Sequence, residues 1–152
     1  MTMVKAYRAV WAVRHAERED NVNRNWRRLP TARDLQSDNP MLSERGIRQA
    51  KECAERYSLN LQKLPEEPFA DNASVPRIRT TLTKITENYA GDILLVSHAP
   101  AIGAIHEVWE NCYITVGQAT VSKFVEIEKG KFRLEFTADA SHLSEKENLR
   151  PF

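Results

Sequence analysis

Two histidines each follow an apolar segment that has the composition of a buried strand. His15 comes after residues 9–13 and one arginine, and His98 comes after residues 93–96 and one serine. Because ligands of open α/β sheets bind at the carboxyl ends of the strands, we expect both imidazoles at one rim of a sheet. A neutral imidazole nitrogen is a nucleophile toward phosphorus. The pair therefore predicts a site for phosphoryl chemistry.

Positive charge surrounds the first of these histidines. Arg14 directly precedes His15, and Arg18 follows it by three residues. A transferring phosphoryl group carries negative charge on its equatorial oxygens, and arginine can donate two parallel hydrogen bonds to one phosphate. We therefore take His15 as the catalytic nucleophile and Arg14 and Arg18 as phosphate-binding residues. His98 would add a charged hydrogen bond to the same phosphate.

Other interpretations of the histidines are weaker. A single histidine after a strand is usually an ordinary surface residue, but two of them flanked by arginines are harder to explain in that way. His106 and His142 lack this context and are interpreted as surface or helix-packing residues. The spacing of His98 and His106 lacks a supporting carboxylate pattern, so no metal and no cofactor are expected. No glycine-rich loop follows either strand, which argues against a nucleotide-binding domain.

The bulk properties are those of one globular domain. The chain has 152 residues, of which 41% are hydrophobic and 28% charged, and its net charge is +1. No overall field attracts nucleic acid or an anionic membrane, so neither is expected as a partner. The absence of a signal-peptide pattern and of a membrane-spanning stretch predicts a cytoplasmic protein. Cys53 and Cys112 fit no metal spacing and are interpreted as reduced thiols.

Strands and helices alternate along the chain. Besides the two strands that precede the histidines, residues 123–128 and 132–137 predict a C-terminal hairpin around Lys129-Gly130-Lys131. Three helices are predicted, and each has an apolar stripe expected to face the core. The first is capped by Ser43, the second is opened by Ser74 with Pro76 near its first turn, and the third spans residues 101–109. The stripes are Ile47, Ala50, Ala54 and Tyr57; Val75, Ile78, Leu82, Ile85 and Tyr89; and Ile102, Ile105 and Trp109.

Three motifs carry a resemblance to a known family. Residues 13–18, Val-Arg-His-Ala-Glu-Arg, resemble the Arg-His-Gly-Glu motif of the histidine phosphatase (phosphoglycerate mutase-like) superfamily, with alanine in place of glycine. Residues 39–50 resemble its Pro-Leu-Ser/Thr-x-x-Gly-x-x-Gln-Ala segment, and residues 95–99 resemble its second histidine motif. Arg18 and the polar insert at residues 19–39 are most similar to the branch of the ubiquitin-associated and SH3 domain protein tyrosine phosphatases.

The resemblance implies a fold and a reaction. The fold would be an abridged phosphoglycerate mutase-like three-layer α/β sandwich, with a mostly parallel sheet flanked by helices and a C-terminal hairpin, in a single domain over residues 1–152. His15 would become phosphorylated, with Arg14, Arg18 and His98 holding the phosphate. A phosphomonoester would be hydrolysed through phosphohistidine, with water as the second acceptor and no metal. The substrate would be a phosphorylated small molecule or a phosphoprotein.

One segment of the family pattern is missing. Residues 58–73 predict a shortened loop where the family has a strand ending in Ser-Pro-x-x-Arg-x-x-Gln-Thr-Ala and, beyond it, an acid that protonates the leaving oxygen. Ala99-Pro100 also excludes the acid found there in the phytase-like branch. Two hypotheses stay open: a weak phosphatase, or a catalytically impaired module that binds phosphate or phosphopeptide. Without the missing strands, one flank of the central strand would form an open edge and favour a homo-oligomer. Residues 141–152 are predicted to be a loose tail.

Overall fold

A computed structural model describes residues 8–35, 39–57 and 74–150 of the chain. These residues form four strands, four α-helices and two short 3₁₀ turns at Trp26–Arg28 and Pro30–Ala32. The strands are β1 (Ala9–Arg14), β2 (Ile93–Ser97), β3 (Val121–Glu128) and β4 (Lys131–Asp139). The helices are α1 (Glu19–Val22), α2 (Glu44–Tyr57), α3 (Ser74–Asn88) and α4 (Ala99–Glu110). The predicted loop at residues 58–73 lies outside the described residues, as do residues 1–7, 36–38 and 151–152.

The four strands form one sheet in the order β2-β1-β3-β4. β1 and β2 are parallel, whereas the β1–β3 and β3–β4 pairings are antiparallel. The sheet is therefore mixed, and the prediction of a mostly parallel sheet is wrong, because the C-terminal hairpin contributes two of the three pairings. The hairpin itself is confirmed and is slightly longer than its predicted bounds. β1 is central and paired on both sides.

Helices lie against both faces of the sheet, as the predicted three-layer fold requires. Side chains alternate between the two faces along a strand. Val10 and Ala12 of β1 join a buried cluster with Leu82 of α3 and Ile102 of α4. From the neighbouring position Trp11 reaches the ring of Tyr57 at the end of α2, with 6.2 Å between ring centroids. The fold is thus the abridged phosphoglycerate mutase-like sandwich that the sequence predicted.

The predicted helix faces are confirmed for α4 and for most of α3, but only in part for α2, where Ala50 and Tyr57 pack inward and Ile47 does not. Ile102 and Ile105 are buried, and Leu82 is the buried centre of α3, although Tyr89 beyond its end is 53% exposed. In α2 the predicted Ile47 is 47% exposed, whereas Gly46 and Gln49 are buried. The face is rotated because polar contacts, described below, dock the start of α2.

Two predictions about the periphery need correction. The flank of β1 that was expected to be open is paired with β2, so the edges of the described sheet are β2 and β4, and Val96 of β2 is 53% exposed. The tail is not loose over residues 141–150. Leu143 is buried against Ala16 and Ala119, and the backbone NH of Gln118 donates to Leu149 O at 2.6 Å. These contacts bring the tail to the rim where β1 ends.

Candidate active site

The parallel pairing of β1 and β2 brings the two histidines together. Arg14 lies opposite Ser97 in the register, so His15 and His98 leave the sheet side by side. The backbone NH of His15 donates to Ser97 O at 2.8 Å, which continues the pairing by one residue. The two rings meet edge to face with 4.9 Å between their centroids. The juxtaposition expected from the two strand ends is therefore present in the fold.

The His15 ring is set up as a neutral base with one free nitrogen. Its Nδ1 lies 2.7 Å from Ala16 O, and a carbonyl oxygen can only accept, so Nδ1 carries the proton. Burial lowers the pKa of His15 to about 4, and the charges of His98, Arg14 and Arg18 act in the same direction. At neutral pH the Nε2 lone pair is consequently available for attack on an electrophile.

Ala16, which replaces the family's usual glycine, fits the backbone at this point. It is absent from the set of residues with positive φ, so the chain does not need a glycine-only conformation there. The side chain is buried and packs in the small cluster that also contains Ala119 and Leu143. The substitution therefore leaves the backbone around the nucleophile within the ordinary range of an L-residue.

Arg14 is a buried cation beside the histidine pair. Its side chain is held by two backbone carbonyls, since Nη1 donates to Val116 O at 2.7 Å and to Arg150 O. Burial lowers the pKa of Arg14, and the charges of Arg150 and Arg18 lower it further. Arginine remains charged in proteins, so these influences mark a concentration of positive charge that an anion would relieve.

Arg18 lies near both histidines but is engaged with a carboxylate. Its Nε and Nη2 donate to Asp20 Oδ1 and Oδ2 at 3.0 and 2.6 Å. The charge of Arg18 nevertheless lowers the pKa of His15 and of His98, which places it within electrostatic reach of both rings. A phosphate would have to share this guanidinium with Asp20.

His98 is the N-cap residue of α4. Its extended backbone precedes a helix of twelve residues with Pro100 in the first turn, and its carbonyl accepts from Ile102 NH at 3.0 Å. Helix N-termini present free NH groups and a partial positive charge to an anion. Burial lowers the pKa of His98, followed by the charges of Arg18 and Arg14.

The segment that resembles the family's second motif docks on Glu17, two residues after His15. Ser43 Oγ donates to the buried carboxylate of Glu17 at 2.7 Å, and Arg45 Nη1 lies 3.4 Å from its other oxygen. Gln49 Oε1 accepts from the backbone NH of Glu17 at 2.9 Å. A Cβ on Gly46 would lie 1.9 Å from Glu17 O, so only glycine permits this approach.

This docking explains the rotated face of α2. Residues 43, 46 and 49 recur every third position, and each of them contacts Glu17. Ser43 also caps the helix, because its Oγ accepts from Gly46 NH at 3.0 Å, as the sequence predicted. The role of Glu17 was missed from the sequence. The three-residue spacing of Ser43, Gly46 and Gln49 is the sequence signal that could have revealed it.

The two remaining histidines make contacts that stabilise the fold. His106 is buried, with Nε2 3.0 Å from Ser122 Oγ and its ring against Phe124. His142 Nε2 lies 2.9 Å from Ala119 O. Ala119 has a φ of 56° and donates its NH to Arg14 O at 3.1 Å, so His142 supports the loop that braces the site.

Three other arginines are engaged away from the histidine pair. Arg45 and Arg48 pair with Glu145 at 3.1 and 3.3 Å. Arg27 stacks over Trp26, with 5.4 Å from Cζ to the ring centroid. Within residues 8–35, 39–57 and 74–150, no hydrogen bond joins one of these arginines to His15 or His98. Arg150, which the sequence did not single out, is instead the arginine that reaches Arg14.

The same described ranges lack two further kinds of feature. They contain no group of three or more His, Cys, Asp or Glu residues that could hold a metal ion. No helix among them has the length and apolar character needed to cross a bilayer.

Comparisons with known proteins locate the fold. No family model and no curated protein matches the sequence. Several solved structures are similar, among them a phosphoserine phosphatase mutant from Entamoeba histolytica bound to phosphoserine, at TM-score 0.64 and 14% identity, with 90% of this chain and 99% of that chain covered. The protein histidine phosphatase SixA, complexed with tungstate, matches at TM-score 0.53 and 12% identity, with 84% and 94% covered.

A third similar structure is an Escherichia coli protein provisionally assigned as an alpha-ribazole-5'-P phosphatase. It matches at TM-score 0.57 and 17% identity, with 87% of this chain and 97% of that chain covered. These structural neighbours are members of the histidine phosphatase superfamily. At such low identity the likeness establishes a shared fold.

Proposed function

We propose that this protein hydrolyses phosphomonoesters through a phosphohistidine formed on His15. The observation that carries the proposal is the neutral ring of His15, 4.9 Å from the ring of His98, at a rim that also holds Arg14 and Arg18. The shared fold with phosphatases of known structure supports the same reaction class. No metal or cofactor is part of the proposed reaction.

The proposed reaction has two displacements at phosphorus. His15 Nε2 attacks the phosphorus, the ester P–O bond breaks, and the leaving oxygen takes a proton from solvent. Water then attacks phosphohistidine, the N–P bond breaks, and inorganic phosphate is released with one proton. Arg14, Arg18, His98 and the NH groups at the start of α4 stabilise the charge on the transferring group in both steps.

Exposed arginines of the polar insert would favour anionic substrates. Arg24, Arg28 and Arg33 of the insert that follows α1 are exposed, and no ion pair is formed by them within the described ranges. A phosphorylated protein with acidic flanking residues, or a small phosphorylated molecule, would suit this charge. We further propose, from Arg18 and this insert, the branch of the ubiquitin-associated and SH3 domain tyrosine phosphatases, and a cytoplasmic location.

A second candidate function is a binding module that has lost most of its turnover. It is favoured by the lack, among the described residues, of any carboxyl group hydrogen-bonded to His15 or His98, while the nearby Asp20 is paired with Arg18. Without a general acid the leaving oxygen departs unassisted, and such assistance is typically worth about 10²–10⁴ in rate. The two candidates share one phosphate pocket and differ in rate.

Turnover and labelling of the full chain decide between the candidates. The chain is incubated with a phosphotyrosine peptide and with an aryl phosphate, and acid-labile phosphate is mapped by mass spectrometry. Turnover with label on His15 supports the phosphatase. Phosphate binding measured by calorimetry, without turnover or label, supports the binding module. Absence of binding, turnover and label together contradicts both.

A further inference from the structure

The residues after β4 follow the surface of α2 toward Arg14. We call residues 143–150 the strap. At its start Leu143 is buried against Ala16, and Ser144 Oγ donates to Glu52 Oε1 at 2.5 Å. Further along, Glu145 pairs with Arg45 at 3.1 Å. The strap is thus fixed along α2 by both an apolar contact and charged contacts.

The end of the strap contacts both α1 and the loop that precedes β3. Leu149 O accepts from Gln118 NH at 2.6 Å, and Arg150 Nη2 donates to Asn21 O at 2.9 Å. Gln118 Nε2 also donates to the Asn21 side chain at 2.7 Å, which ties this loop to α1. A Cβ on Gly117 would lie 2.9 Å from Leu149 Cβ, so this glycine gives the strap its room.

The backbone of the strap turns sharply where it meets Arg14. Asn148 and Arg150 have φ values of 54° and 46°, a left-handed conformation that non-glycine residues adopt at a cost. The contacts to Gln118 and Asn21 hold this conformation in place. Its result is that Arg150 O points at the Arg14 guanidinium and accepts from Nη1.

Two backbone carbonyls from separate segments consequently fix one nitrogen of Arg14. Val116 O and Arg150 O both accept from Nη1, while a guanidinium offers five NH donors in a rigid plane. Fixing one edge of that plane orients the others. A guanidinium held in advance loses less conformational freedom when it binds phosphate.

We infer that the strap positions Arg14 for phosphate binding, and that Arg150 acts in this through its backbone carbonyl. The inference rests on the proposed function, because it assigns Arg14 to a bound phosphate. Arg150 is a positioning residue.

The test compares chains that keep or lose this carbonyl. A chain ending at Asn148 lacks it, a chain ending at Pro151 is the matched control, and the Arg150→Ala variant keeps the carbonyl without the side chain. Calorimetry measures the Kd of inorganic phosphate for each. We expect about a tenfold rise in Kd for the chain ending at Asn148, the value of one hydrogen bond to a charged group. We expect a smaller rise, about twofold, for Arg150→Ala.

A double-mutant cycle separates positioning from general stability. In an Arg14→Lys background, the same truncation is expected to leave phosphate affinity unchanged within about twofold, because the oriented guanidinium is already gone. Thermal unfolding of each chain checks that all are folded at the assay temperature. An equal loss of affinity in both backgrounds, or affinity in the shortened chain equal to or tighter than the control, overturns the inference.

The two proposals fail in different ways. If the strap has no role, the full chain still binds phosphate and labels His15. The chain ending at Asn148 then has the same Kd for phosphate as the control chain. If the proposed hydrolysis is wrong, turnover and label are missing from the full chain, while the binding comparison still reports on the strap. A full chain that binds no phosphate overturns both.

Discussion

The two histidines of the candidate site differ in how firmly the residues around them are held. His15 follows the central strand, between the buried Arg14 and the buried Glu17, whose contacts come from α2, the Ala119 loop and the strap. His98 follows the edge strand, where Val96 is 53% exposed, and continues directly into α4. The residues beside His15 are therefore held by several elements, whereas His98 stands at the edge of the sheet. This contrast predicts a site that binds phosphate well and turns it over slowly.

The largest effect is expected from His15 itself. His15→Ala removes the attacking nitrogen and should lower kcat for an aryl phosphate by about 10³-fold or more, with complete loss of acid-labile label. His142→Ala, which changes a histidine outside the rim, is the control and should retain the label. Equal turnover in His15→Ala and the parent chain would remove His15 from the mechanism.

The support of His15 is broken most directly at Gly46. The added methyl of Gly46→Ala would overlap Glu17 O, so we expect a loss of about 3 kcal/mol in the free energy of unfolding. In an unconstrained helix the same change would instead stabilise by about 1 kcal/mol. Denaturant unfolding measures the difference, with the exposed Ala54→Gly as a helix control. A stabilised Gly46→Ala variant would contradict the docking of α2 on Glu17.

Substitution of His98 should reduce activity less than substitution of His15. His98→Gln removes a charged hydrogen bond to phosphate, and kcat/KM should fall by about 10- to 100-fold. The His15 label should persist, because the nucleophile and its supports remain. Steady-state kinetics with an aryl phosphate, together with label mapping, distinguishes this outcome. A His98→Gln variant that loses the label altogether would show that the two histidines are equally important for phosphorylation.

The pH dependence of kcat/KM tests the roles of His15 and His98 together. His15 must be neutral, so activity should be kept as the pH falls from 7 and decline only as it approaches the pKa of about 4. His98 serves phosphate best when protonated, and burial lowers its pKa below the ordinary 6.5, so the decline of activity with rising pH should begin below pH 6.5. The kcat/KM profile should therefore have an acidic optimum. His98→Gln should lose the alkaline decline alone, and an optimum above pH 7 would contradict this assignment.

The smallest effect on stability is expected at the β2 edge of the sheet. Val96→Lys on the exposed edge of β2 should change the free energy of unfolding by no more than about 0.5 kcal/mol. If copies of the chain pair through this edge of β2, the lysine should weaken that pairing. Sedimentation velocity of both chains at several concentrations gives the result. Identical dimer populations would exclude β2 as the interface.

The sequence predicted those features that depend on apolar runs and on strand ends. Both histidine strands, the hairpin and the inward faces of α3 and α4 follow from local patterns, and the meeting of His15 with His98 follows from parallel pairing. The face of α2 was missed because polar contacts to Glu17, rather than apolar burial, orient that helix. The tail was missed because it reaches Arg14 through a backbone carbonyl, which leaves no trace in residue types.

The contact between Arg14 and Arg150 joins residues 136 positions apart. Contacts of such wide sequence separation form late, because the closure of a long loop must precede them. During synthesis the strand that carries Arg14 and His15 therefore leaves the ribosome well before the carbonyl of Arg150 is available. The nascent chain carries the proposed nucleophile before the Arg14 guanidinium has both of its carbonyl partners, so the proposed phosphate site is completed only once residue 150 has been added.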